Sequence, residues 1–181
     1  PSPMIHHYGN ERITELINLT AVIYNENPDV PDLPDWLPFT KTDVKKYIAG
    51  FLSSSRGDEA YTYGERLKAF PLEGYNEELN QQKIIVEKLK SFPENKGALA
   101  VLWEPIIDNF GLREIWRTPC LVLVQAVIRD KKLFLTAYFR SNDMFGGWPL
   151  NCFGLRAFQK ETATLIDKSL KLGPLTTISH S

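Results

Sequence analysis

Two runs rich in Val, Leu, Phe and Tyr, residues 120–128 and 133–140, flank four charged residues, Arg129-Asp130-Lys131-Lys132. No other feature restricts the fold as much. Runs of that length and composition read as strands, and the short polar gap between them reads as the turn of a β-hairpin. A third apolar run, Ala98-Leu99-Ala100-Val101-Leu102-Trp103, stops at Glu104-Pro105 and reads as a buried strand. Near the end, Gly173-Pro174 leads into Leu175-Thr176-Thr177-Ile178, the start of another strand.

Helical spacing dominates elsewhere. Ile13, Leu16, Ile17, Leu19 and Ile23 predict a helix over residues 10–24, with Asn10 and Glu11 at its start. Val44, Tyr47, Ile48, Phe51 and Leu52 predict a second over 40–52, with Thr42 as N-cap. A polar helix over 76–91 ends before Pro93, and a long amphipathic one covers 150–170. Residues 25–35 hold three prolines and four acids, which excludes helix or central strand there. That segment is a loop or linker, with Trp36-Leu37-Pro38-Phe39 pinning its far end, and 53–58 is a loop by composition. Helices come first and paired strands later, so the expected class is α+β, a mixed sheet flanked by helices. The expected division is an N-terminal helical region with a Pro-rich loop, 1–55, and a core, 56–181.

A chain of 181 residues with 43% hydrophobic residues, four Trp, seven Tyr and ten Phe has ample core material. Its net charge of -1 argues against holding a nucleic-acid polymer by a basic field. The apolar runs, 120–124 among them, are too short to cross a bilayer, and Pro1-Ser2-Pro3-Met4 opens no signal-peptide pattern. Two cysteines make no disulfide framework. A soluble cytoplasmic protein without membrane attachment is expected.

Several chemistries are excluded by residue placement. The cysteines are 32 apart and the histidines, His6, His7 and His180, sit near the termini, so no metal-ligand cluster is expected. Neither phosphate-loop nor dinucleotide fingerprints occur, and a serine-protease triad lacks an internal histidine. The informative stretch is 139–151, where Arg140, Ser141, Asn142, Asp143 and Asn151 surround Gly146-Gly147 between an apolar strand and an apolar helix. Arg140 offers a fork to phosphate, Ser141 a hydroxyl, and the loop its N–H groups. The alternative is a hairpin exit whose polar residues merely cap the next helix. Cys120 lies twenty residues before Arg140, at the start of the hairpin's first strand. Arg140 brought to it would favour the thiolate; otherwise Cys120 is a small buried hydrophobe, as Cys152 is read to be.

The same residues carry a family resemblance. Pro119-Cys120, Gln125 and the run Arg140-Ser141-Asn142-Asp143-Met144-Phe145-Gly146-Gly147-Trp148-Pro149-Leu150-Asn151 resemble the core of thymidylate synthases. Tyr63-Gly64 with Arg66 resembles the family's Tyr-Gly segment, and 98–103 its strand ending in Trp; the style is nearest the short archaeal-type members. The resemblance covers roughly residues 61–151. It implies a thymidylate-synthase-like twisted mixed sheet and a homodimer joined through the back of that sheet. It implies conversion of dUMP to dTMP, with 5,10-methylene-tetrahydrofolate or an archaeal pterin analogue as donor and no metal. Cys120 would then add to C6 of the pyrimidine. Arg140 would hold the phosphate and the thiolate, and Ser141 would add a phosphate hydrogen bond. The backbone of Asp143 and Gly147 would orient the base, and Asn151 would read its O4/N3 edge. Gln125 would support the pocket, Tyr63 would border the substrate, and Trp103 the cofactor.

The sequence departs from the family pattern in four places. Lys96-Gly97 stand where a partner subunit's Arg-Arg pair would reach the phosphate; Lys68 and Arg56 are candidate replacements. Leu121 stands where bacterial-type members have His. Glu59 is the candidate for the family's proton-shuttling glutamate, against its reading as a solvated loop acid. The chain stops at Ser181, short of a His-x-Tyr motif and closing tail, so a truncated piece or a homologue without that lid is expected. Two alternatives to the methyltransferase remain: a pyrimidine nucleotide hydroxymethylase, and a catalytically silent nucleotide-binding or dimerisation homologue.

Overall fold

The structure, a computed structural model, describes residues 3–8, 10–24, 26–29, 31–72, 77–110 and 118–181; for 6–8, 11 and 110 it describes the backbone only. In chain order the elements are strands β1 (Met4–Tyr8), β2 (Glu11–Glu15) and β3 (Leu19–Ile23), helices α1 (Lys41–Leu52) and α2 (Tyr63–Lys68), and strands β4 (Phe70–Pro71) and β5 (Glu78–Leu79). There follow helix α3 (Gln81–Ser91), strand β6 (Leu99–Val101), helix α4 (Pro105–Phe110), strands β7 (Leu121–Arg129) and β8 (Lys132–Phe139), helix α5 (Trp148–Ile166) and strand β9 (Lys171–Ser179).

The hairpin forms as its sequence demands. β7 and β8 pair antiparallel from Leu121↔Phe139 to Arg129↔Lys132. Asp130 and Lys131 sit at φ 49° and 54°, as a two-residue turn of the primed type requires to match strand twist. β6 joins the far edge of β7, α5 crosses over, and β9 then lies parallel to β8. β3 completes a mixed five-stranded sheet of order β3-β9-β8-β7-β6. Helices and a mixed sheet together make the fold α+β.

One sheet face is closed. Leu121, Val124, Leu133, Leu135, Phe139 and Leu175 point into a core filled by Ile85 and Leu89 of α3, Phe51 of α1, and Leu155 and Phe158 of α5. Each such side chain, fully buried, contributes about 1.5–3 kcal/mol. On the opposite face the alternate residues, such as Phe134 and Tyr138, remain only half-buried. No helix among the described residues is long and apolar enough to cross a membrane.

The helix expected over 10–24 is corrected to two strands. β2 pairs with β1, and β3 pairs with β9 in the main sheet. Asn18 between them adopts φ 57°, a left-handed turn that stops a helix, and Leu19-Thr20-Ala21-Val22-Ile23 alternates half-buried and exposed positions. Residues 1–55 therefore contribute an edge strand and α1 to the body rather than two helices.

Boundaries also shift. α1 is capped by Thr40, not Thr42, through a box with Asp43. α3 begins at Gln81 under an Asn80 cap, because 78–79 pair with β4; residues 73–76 lie outside the described ones. α5 spans Trp148–Ile166, starting and ending earlier than the 150–170 expected, since Lys171 already belongs to β9. The Pro-rich loop is held at its near end by Arg156, whose guanidinium donates to the Tyr24 and Glu26 carbonyls. At the far end Trp36 stacks on Phe145 at 5.9 Å while remaining largely exposed.

Candidate active site

A register count places the two principal residues together. Leu121 pairs with Phe139, so the next pair out is Cys120 and Arg140, and Arg140 N donates to Cys120 O at 2.9 Å. The Arg140 guanidinium folds back over this end of the hairpin. Nε donates to Pro119 O at 3.0 Å, and Nη2 donates to Thr118 O and Oγ1 at 3.1 and 2.9 Å. Its plane lies over the Trp103 ring, 5.5 Å from the centroid, a cation–π contact. Nη1 has no partner among the described residues.

α5 supplies the third group. After β8 the chain turns on Asp143, whose Oδ1 accepts from Phe145 N and Gly146 N and whose carbonyl accepts from Gly147 N and Trp148 N. A Cβ on Gly146 would sit 2.4 Å from Asp143 Oδ2, so a larger residue there would push aside the carboxylate that accepts from Phe145 N and Gly146 N. Pro149 fits the first turn of the helix, and Asn151 follows, buried, facing the same space as Cys120.

That space is a cavity of about 1020 Å³ bordered by α1, the Glu59–Tyr63 segment, Cys120, Arg140 and the start of α5. Tyr47 of α1 donates to Asn151 Oδ1 at 2.5 Å. Tyr63 accepts a long bond from Leu121 N at 3.4 Å, and its ring packs against Phe51 and Tyr61. Gly64 makes this possible: a Cβ there would lie 2.0 Å from Ser53 O.

Other expected residues fall nearby or elsewhere. Asp143 and Gly147 line the cavity, as does Glu59. Ser141 opens instead into an adjoining cavity of about 600 Å³, which shares only Asn142 and Asp143 with the first. Gln125 lies five residues along β7 and donates to Lys96 O at 2.6 Å. Neither candidate replacement cation reaches the cavity: Lys68 is held by Leu52 O and Glu161, and Arg56 by Ala60 O and Glu65. Arg66 is a buried structural cation, paired with Asp108 through both Nη groups at 3.2 and 2.8 Å and donating to Leu102 O. Among the described residues no group of His, Cys, Asp and Glu could hold a metal ion.

Sequence reasoning missed Tyr47 and Lys46 on the cavity wall. Tyr47 was absorbed into the apolar stripe of α1. The signal available was its hydroxyl, which needs a partner when buried in such a stripe.

The two cysteines differ in surroundings. Cys120 is half-buried on the cavity, whereas Cys152 lies in the core, where burial pushes its thiol well above the usual range. Burial likewise raises Tyr47 and Tyr63 far above an ordinary phenol. Their folded values exceed the unfolded ones, so this contribution is complete below about pH 10 and is lost as pH rises beyond it. We expect stability to fall by about 1.4 kcal/mol per pH unit for each tyrosine above that point. Cys152 adds its share from about pH 9. Urea midpoints between pH 8 and 11 check this, and Tyr63→Phe should flatten the slope.

Known proteins resemble this chain in sequence. The thymidylate synthase family matches over residues 9–177, well beyond the 61–151 carried by motifs. A protein of Methanosarcina acetivorans named "Putative thymidylate synthase" is 33% identical over 171 residues, 94% of this chain and 73% of that protein. One of the same name from Methanocaldococcus jannaschii is 35% identical over 146 residues, 80% of this chain and 64% of that protein. A Bacillus phage SP01 protein named "Deoxyuridylate hydroxymethyltransferase" is 35% identical over 89 residues, 47% of this chain and 23% of its own length. With its α+β fold, its Cys120–Arg140 pair and a match spanning nearly its whole length, the chain belongs to the thymidylate synthase family of enzymes.

Proposed function

We propose that the protein methylates C5 of a deoxyuridine nucleotide, converting dUMP to dTMP, with Cys120 as nucleophile. The observation that carries this reading is the meeting of Cys120, Arg140 and Asn151 around one cavity. The Cys120 thiolate adds to C6, which makes C5 nucleophilic. Once C5 holds the one-carbon unit it loses its proton, and the bond from that carbon to the donor nitrogen breaks. Hydride (or water, for a hydroxymethyl product) takes the nitrogen's place, and expulsion of the thiolate from C6 restores the ring. A methylene-carrying reduced folate or archaeal pterin supplies the carbon and, for a methyl product, a hydride. The cavity, at about 1020 Å³, has room for a nucleotide and a second flat ligand.

Arg140 has Nη1 left for the nucleotide phosphate while its other donors hold the backbone before Cys120. Lys46 on the cavity wall and Ser141 on the adjoining ledge add to that end. Gly147 carries no side chain over Asn151, so the base can lie against the backbone of 143–147. Glu59 is on the cavity wall to exchange protons with the base, Tyr63 borders it, Gln125 steadies β7, and Trp103, beneath the Arg140 guanidinium and outside the cavity's lining, is the residue we assign to the donor. Both cysteines are free, which suits the cytoplasm.

The apolar open face of the sheet supports a homodimer joined through it. Leu99 and Val101 on β6 and Val22 on β3 are 40–44% exposed, and Phe134 and Tyr138 lie between them half-buried. Val101→Glu is expected to yield monomers with unchanged circular dichroism, checked by sedimentation equilibrium.

The hydroxymethylase reading is favoured only by the phage relative's name. One experiment tests both: incubation with dUMP tritiated at C5, with and without methylene donor, followed by product mass. Donor-dependent tritium release with a methyl product supports the proposal. A hydroxymethyl product supports the second reading, and no release overturns both.

A further inference from the structure

We propose that Tyr47 is a positioning residue that fixes the orientation of the Asn151 amide, and thereby makes the site select a pyrimidine with a carbonyl rather than an amino group at C4. This rests on the reading of the cavity as a pyrimidine nucleotide site.

The geometry begins with two helices held at a fixed separation. A Cβ on Gly154 of α5 would lie 2.4 Å from the Phe51 ring of α1, so the ring occupies the space that the glycine leaves. About one turn earlier on each helix stand Tyr47 and Asn151, and the phenol meets the amide oxygen at 2.5 Å. Neither partner can slide away without disturbing the Phe51–Gly154 contact.

Hydrogen-bond accounting then sets the polarity. The bond to Asn151 Oδ1 is the only one Tyr47 makes through its hydroxyl among the described residues. Its proton therefore has one acceptor, the amide oxygen. Turning the amide over would give up the bond from the Tyr47 hydroxyl to Oδ1 and set an NH₂ group in its place. Asn151 Nδ2 consequently faces the other way. It has no hydrogen bond among the described residues, yet is absent from the fully buried unpartnered atoms, so it reaches the cavity. A Cβ on Gly147 would stand 3.8 Å from it, in the space left for the base.

The cavity thus presents a donor. A C4 carbonyl accepts from it, whereas a C4 amino group would face donor against donor. Sites that pair buried polar groups discriminate strongly against a ligand that cannot pair. Without the Tyr47 hydroxyl no other side chain among the described residues holds the amide, and Oδ1 can turn to the cavity and accept from an amino group.

The test measures dissociation constants of dUMP and dCMP by calorimetry for the wild-type protein, Tyr47→Phe, and Asn151→Asp as a reference for reversed polarity. Wild type is expected to prefer dUMP. Tyr47→Phe is expected to lower the dUMP-to-dCMP preference by about tenfold, mainly by improving dCMP binding. A purely structural role would weaken both nucleotides together. If wild type binds dUMP and the ratio in Tyr47→Phe stays within about twofold, the inference is wrong while the nucleotide site stands. If wild type binds neither nucleotide, the reading of the site and the inference fall together. Tyr47→Leu, judged by the same ratio, serves if Tyr47→Phe does not fold.

Discussion

Cys120→Ser is expected to lower the rate of tritium release from C5 by about 10⁴-fold or more, while calorimetry still detects dUMP binding. The size of the effect follows from the role. An alcohol at this position has a pKa far above neutrality, and among the described side chains no histidine lines the cavity to activate it: His180 bonds Asn18. The binding groups are separate. Arg140 and Asn151 are held by Thr118, Pro119 and Tyr47 rather than by the thiol, so they keep their places when sulfur is replaced by oxygen. Cys152→Ser is the matched control. Its thiol is buried in the core, so it is expected to cost stability without a comparable loss of rate. Equal losses from the two substitutions would mean that Cys120 is structural.

Asp108→Ala is expected to destabilise the protein by about 3–5 kcal/mol, seen as a lower urea midpoint. Arg66 is 1% exposed and Asp108 8%, and they share a bidentate pair. Removing the carboxylate strands a guanidinium in the interior, with Leu102 O as its remaining acceptor and the Phe70 ring 5.5 Å away. The consequence reaches the site. Arg66 lies on α2 with Tyr63 and ties that helix to Leu102, so slackening there loosens the Tyr63 wall of the cavity. Asp108→Asn keeps the shape and one acceptor, and should cost less. A loss below about 1 kcal/mol for Asp108→Ala would show that water reaches Arg66.

Much of the fold is legible in the residues because the hairpin leaves little choice. Two strand-like runs separated by a four-residue charged gap pair with each other as a hairpin, and that pairing sets Cys120 beside Arg140. Asn151 follows because ten residues separate it from Arg140, enough for one tight turn and the first turn of a helix. The misreading at 10–24 has an equally specific cause. Ile13, Leu16, Ile17, Leu19 and Ile23 satisfy helical spacing, but the partner strand β9 lies more than 150 residues away and imposes a period of two. Asn18 at positive φ was the local sign. Short helices α2 and α4 have too few residues to show a period; tertiary contacts such as Arg66–Asp108 hold them. The Tyr47–Asn151 bond joins residues 104 apart through helix packing, which no local pattern encodes.

The most direct measurement is intact mass after incubation with 5-fluoro-dUMP and methylene-tetrahydrofolate, beside Cys120→Ser treated alike. The fluorine blocks loss of the C5 substituent, so an enzyme that adds a thiolate to C6 is caught as a covalent complex. The expected result is a mass increase equal to nucleotide plus folate in the wild type and none in Cys120→Ser. An adduct that persists in Cys120→Ser, or a wild type that binds the nucleotide and gains no mass, would contradict Cys120 as the nucleophile.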